Sequence, residues 1–188
     1  MAAAVRRRIH LPQLLGDAVG NAGERCATRL GHVGAMVHGR TGTRTPDDPA
    51  HEDLFAIAAR WRQPLFIQPR IPSHELRDVA HRGLDPPVDL GLATFCGGWH
   101  LEAGPVALRL ILRGTFDRHP DLQPVLGHWG EMLLSWMDRA DSLSGNAKHL
   151  ERRVSDYITT NIHITSDPSD RSKIASGTAE TLFRLGPA

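Results

Sequence analysis

The chain is short of several things, and each shortage closes off a class of function. Only two of its 188 residues are cysteine, Cys26 and Cys96, and they are too far apart to form a C-x-x-C pair. That argues against a thiolate zinc site and against a disulfide-stapled secreted fold, and it points to a reducing compartment. Surplus charge is also missing: 22 Lys and Arg stand against 21 Asp and Glu, a formal net charge of +1. So even a balance supplies no overall field to attract nucleic acid or an anionic membrane. No apolar run approaches the roughly 18 residues needed to cross a bilayer, and the amino terminus lacks the apolar core of a secretory signal. The expectation is a soluble, cytoplasmic protein with no nucleic-acid or membrane partner. Met1–Arg8 carries three arginines and no acid, which fits an organelle-import segment or the start of a basic helix.

What is present is an ordinary globular composition, 40% hydrophobic and 23% charged, on a chain long enough to bury one core. Helical spacing of apolar residues runs through 12–30, 51–61, 99–113 and 132–143. Between these lie short apolar runs near 33–38, 64–68, 124–128 and 161–165, the form of buried strands. Tyr157 to Thr165 reads as strand throughout, from the alternation of Ile158, Ile162 and Ile164. Residues 71–98, rich in Pro and Gly, read as a long irregular connection of the kind that serves as a lid or specificity element. The alternation of strands and helices predicts an α/β fold: about four parallel strands with flanking helices, half of a (β/α)8 TIM-type barrel.

Polar residues gather where these strands end, which in α/β folds is where functional side chains collect. Two glycines flank His128 in Gly127-His128-Trp129-Gly130-Glu131, so the backbone can turn sharply beside whatever the ring faces. A tight-turn structural histidine is the alternative. Arg70, after Gln68-Pro69, is a candidate for holding a substrate carboxylate through two hydrogen bonds, with a surface ion pair as the alternative. His38, His128 and His163 together form a candidate three-imidazole zinc site. The other histidines, His100 among them, are expected to be solvated.

Several stretches carry a resemblance. They are Glu24-Arg25-Cys26, Leu30-Gly31-His32-Val33-Gly34-Ala35, Asp47-Asp48-Pro49, Pro64 to Arg70, Leu108 to Ile111, Gly114 to Leu122, Gly127 to Glu131, and Tyr157 with Asn161 to Thr165. Through them the chain resembles the amidohydrolase-related family of aminocarboxymuconate-semialdehyde and resorcylate decarboxylases, over the middle-to-late part of the barrel. The resemblance implies a metal-dependent hydrolase or carboxy-lyase acting on a small carboxylated aromatic or unsaturated acid. It also implies a divalent metal, usually zinc, with His128 transferring protons and Glu131 supporting it. It sets residues 1–20 apart as an N-terminal segment, 21–166 as the partial barrel and 167–188 as a divergent tail.

The departures are as specific as the matches. Gln68 stands where the family has a metal-binding histidine before proline, and an amide oxygen is a poor zinc donor. The first-strand metal pair and last-strand aspartate have no counterpart, so a catalytically inactive fragment or pseudoenzyme is the alternative expectation. Four parallel strands cannot close a barrel, and open edges predict marginal stability alone or association with another chain, a homo-oligomer included.

Overall fold

Short apolar runs bounded by Gly, Pro and polar residues become strands, and the longer runs with three-to-four-residue spacing become the helices that cover them. The computed structural model describes residues 9–10, 17–130 and 133–165. In chain order these form β1 (Ile9–His10), α1 (Asp17–Thr28), β2 (Ala35–His38), α2 (Glu52–Arg60), β3 (Leu65–Gln68), α3 (His74–Ala80) and α4 (Pro86–Ala93). There follow α5 (Ala103–Leu112), α6 (Thr115–Arg118), β4 (Pro124–Leu126), α7 (Met137–Asp141), α8 (Val154–Asn161) and β5 (His163–Ile164). No described helix is long and apolar enough to cross a membrane.

All strand pairs are parallel, and the sheet order is β1-β2-β3-β4-β5. The order never reverses. In a doubly wound sheet a reversal sends helices to both faces; right-handed crossovers that always step the same way put every helix on one face and leave the other turned inward, as in a barrel. The four expected strands are all present, and β1 adds a fifth from within the segment set apart as 1–20.

Register sorts side chains between the two faces. Leu65 pairs with Pro124 and Ile67 with Leu126, which in turn pairs with Ile164; these residues face the helices. Leu65, Ile67 and Leu126 are fully buried there against Phe55, Val106, Leu110, Ile111 and Ile158. Met36, Phe66, Val125 and His163 lie on the alternate positions and share the inner face. Pro124 opens its strand, where a missing N–H costs little, and the Leu65 amide donates to the Gln123 carbonyl at 3.1 Å.

Two sequence expectations are corrected. The supposed irregular connection 71–98 holds α3 and α4. Ser73 Oγ accepts from the Leu76 amide at 3.3 Å to cap α3, and Pro86 and Pro87 sit in the first turn of α4, where proline is compatible with a helix. Tyr157 to Asn161 is the end of α8, not strand. Val154, Tyr157, Ile158 and Asn161 are its buried residues, at helical spacing. Asn161 then ties α8 to the entry of β4, donating to the carbonyls of Pro120 (3.0 Å) and Leu122 (3.3 Å).

Candidate functional site

The site lies at the carboxyl ends of β2, β3 and β4. Gly127 prolongs the β3–β4 ladder by donating to the Ile67 carbonyl, and Gly39 prolongs β2–β3 by donating to the Gln68 carbonyl at 2.8 Å. One residue past Gly127, His128 takes a left-handed conformation, φ 53°. Non-glycine residues rarely sit there, although histidine does so more readily than most. Gly130 also has positive φ, and a Cβ there would lie 2.7 Å from Ile164, so only glycine fits.

Three side chains pack on or bond to the ring of His128. The Gln68 amide Nε2 lies 3.0 Å from its Nε2. Trp99 packs against it with ring centroids 4.7 Å apart, and His100 meets it edge-on at 5.2 Å and 89°. Trp99 is itself fixed: its indole N–H donates to the Pro69 carbonyl at 2.5 Å, one residue beyond Gln68. Gly127 gives the amide room, since a Cβ there would stand 3.1 Å from the Phe66 ring and 3.6 Å from Gln68 Oε1.

Beside this cluster the exits of β2 and β3 are cross-tied by two arginines. Arg40 donates to the Ile71 carbonyl at 2.7 Å, and Arg70 donates back to the Arg40 carbonyl at 3.3 Å. Glu102 lies 3.9 Å from Arg40. Burial pushes its carboxyl above the ordinary glutamate value, and Arg40 and Arg70 pull against that shift without cancelling it. The same end of the sheet therefore offers an imidazole, aromatic walls, two guanidinium groups and a carboxyl held toward its neutral form.

The expected site residues fare differently. His128 and Gln68 are brought together, and Arg70 reaches the same end of the sheet. Glu131 lies outside the described residues. The three-imidazole site is not formed: His163 pairs with Val125 near the start of β4, and its Nε2 is 2.6 Å from Gln123 Oε1. Burial depresses its pKa below the ordinary histidine value. No three His, Cys, Asp or Glu side chains among the described residues converge to hold a metal ion. The donor set present does not fit the zinc that the resemblance implies, because the β3 position expected to supply an imidazole supplies an amide already committed to His128.

Trp99 and His100 escaped the sequence reading, which took one as the start of a helical stripe and the other as solvated. The signal was Gly97-Gly98 just before two aromatic rings. The chain leaves α4 in a compact turn, and Trp99 and His100 then precede α5.

No family model matches the chain. It is 30% identical to the gamma-resorcylate decarboxylase of Rhodococcus jostii, an alignment covering 94% of this chain and 55% of that protein. Among solved structures it is similar to the 5-carboxyvanillate decarboxylase of Sphingomonas paucimobilis, at 32% identity and TM-score 0.70 over 87% of this chain and 49% of that one. It is also similar to the manganese-bound enzyme of that name from Novosphingobium aromaticivorans, at 25% identity and TM-score 0.72 over 93% of this chain and 50% of that one. The chain spans about half the length of the curated relatives it matches.

Proposed function

From a chain related to the amidohydrolase-type decarboxylases over about half of their length, we infer a carboxy-lyase site for a small carboxylated aromatic acid, with His128 as the proton-transfer group and Arg70 as the carboxylate anchor. The observation that carries the reading is the posture of His128. A left-handed backbone costs an L-residue about 1–2 kcal/mol, and strain of this kind persists where surrounding contacts over-determine it, often at functional positions.

The chemistry asked of these residues is modest. With substrate bound, the His128 imidazolium gives its proton to the ring carbon that bears the carboxylate. The bond from that carbon to the carboxylate then breaks, its electron pair restores the aromatic ring, and carbon dioxide leaves. The neutral imidazole regains a proton from water. Arg70 orients the carboxylate by paired hydrogen bonds, while Trp99 and His100 offer flat surfaces to an aromatic ring. The resemblance assigns Glu131 the role of supporting His128 in proton transfer. The implied zinc finds no donor set among the described residues, and no step runs through it.

The test is carbon dioxide release from gamma-resorcylate and from 5-carboxyvanillate, alongside calorimetric binding. Saturable release that falls at least about 100-fold in His128→Asn is expected, the usual scale for a lost general acid. Absence of release from the unmodified chain overturns the catalytic reading. Binding retained without release would instead favour a non-catalytic carboxylate-binding fragment, the reading that Gln68 in place of a metal-binding histidine supports.

A further inference from the structure

The resemblance implies a metal ion beside His128, yet the described residues put an amide against the ring. The facing atom of Gln68 is its amide nitrogen, which can only donate. The Nε2 of His128 must therefore present its lone pair, and a neutral ring carries its proton on Nδ1. Three further features keep the amide in place. Phe66 and the open space over Gly127 frame it, with Gln68 Oε1 3.6 Å from where a Cβ at 127 would lie. Trp99 closes over the imidazole and is anchored to Pro69, so one strand exit controls both the hydrogen bond and the aromatic cover. The unusual φ of His128 leaves the side chain few alternative directions once those contacts form.

We propose that Gln68 is a positioning residue whose carboxamide, by donating to Nε2, holds His128 in the Nδ1–H tautomer and takes over the orienting task that an ion would otherwise perform. The proposal rests on His128 being the proton-transfer group and describes its resting, neutral form: the proton sits on Nδ1, turned away from β3, and the amide turns its oxygen to Nε2 when the ring takes on the second proton that it delivers. A histidine that moves protons works only with the correct nitrogen protonated, and groups that fix the tautomer of such a ring typically matter by about 10- to 100-fold in activity.

The experiment uses the full chain labelled with ¹⁵N-histidine. Ring nitrogen–proton correlations are recorded about two pH units above the ordinary histidine pKa of about 6.5, and His128→Asn assigns the signals of residue 128. The unmodified protein is expected to show Nδ1–H alone. Gln68→Ala removes the donor and should let Nε2–H, the form favoured by a histidine side chain in water, become the major species. Gln68→Glu, similar in size but an acceptor, should drive the ring to Nε2–H outright, and it keeps the test decisive if the alanine variant folds poorly. A single tautomer shared by all three proteins would overturn the proposal, as would Nε2–H in the unmodified chain. In the carbon dioxide assay Gln68→Ala should lower kcat about 10- to 100-fold with KM nearly unchanged. A chain that releases no carbon dioxide would sink the catalytic reading while leaving the tautomer result to decide this one.

Discussion

The two faces of the sheet are held by different kinds of force. On the helix side, Leu65, Ile67 and Leu126 are each 0% exposed and fixed by packing against α2, α5 and α8. On the inner side Val125 is buried, but Met36, Phe66, Gln68 and His163 are only partly so, and Gln68 and His163 hydrogen-bond to His128 and Gln123. Packing is non-directional and answers to volume; a hydrogen bond answers to which atom carries the proton. Stability and site chemistry should therefore be separable by choosing the face.

The largest effect is expected from Ile67→Ala on the helix side, a loss of about 2–5 kcal/mol in denaturant unfolding. Phe66→Ala, the neighbouring residue on the opposite face, should cost less than half as much because its ring is already partly in water. Equal losses would erase the distinction. The loop leaving β2 joins the two regimes through Asp47, a buried carboxylate that accepts from Arg109 at 2.7 and 2.9 Å and from Arg113 at 3.3 Å. Burial pushes its pKa up, but the hydrogen bonds from Arg109, Thr45 and Arg113 outweigh this and leave it below the ordinary aspartate value. Its stabilisation is thus fully present above that ordinary value and is lost as pH falls through the lowered one. Asp47→Asn should cost about 1–3 kcal/mol at neutral pH and flatten the acid limb of the stability curve.

Smaller effects probe the inner face directly. His128→Gly should be more stable than His128→Ala by about 1 kcal/mol, because alanine keeps the left-handed strain that glycine relieves; both should lose turnover alike. A glycine variant no more stable than the alanine one would mean that the backbone at 128 is not strained. His163 gives the subtlest signal. Its pKa is depressed on folding, so its contribution is present above the ordinary histidine value and lost as pH falls below it. His163→Gln should remove that part of the pH dependence of the melting temperature and leave the neutral value nearly unchanged.

Much of the architecture was legible in the chain. The apolar runs near 33–38, 64–68, 124–128 and 161–165 mark the strands, and their alternation with helices marks a barrel-type sheet. The motif from Gly114 to Glu131 proved to be two things. Its first part is structural: Phe116 and Leu122 are buried and Asp117 accepts from the Tyr157 hydroxyl, while the catalytic expectation falls on His128 and Glu131. The misreadings have local causes. Prolines 86 and 87 look like loop until they are placed in a helix's first turn, and the isoleucines around Asn161 fit a period of two as well as they fit α8 running into a short strand. Trp99 and His100 were missed because nothing in their own neighbourhood says that the residue they cover lies almost thirty positions away.

Local pattern by itself determined four of the strands and the helices between them outside 71–98 and 154–161, that the strands run parallel, and that polar residues collect where strands end, because hydrophobic period and Gly/Pro punctuation act within a dozen residues. Only the tertiary structure decided that the Gln68 amide meets Nε2 of His128, sixty residues away in the chain. That meeting follows from the alignment of Ile67 with Leu126 across neighbouring strands and from the left-handed turn just beyond it. Register between distant segments and the direction of a single ring depend on packing summed over the whole sheet, which no short window of sequence carries.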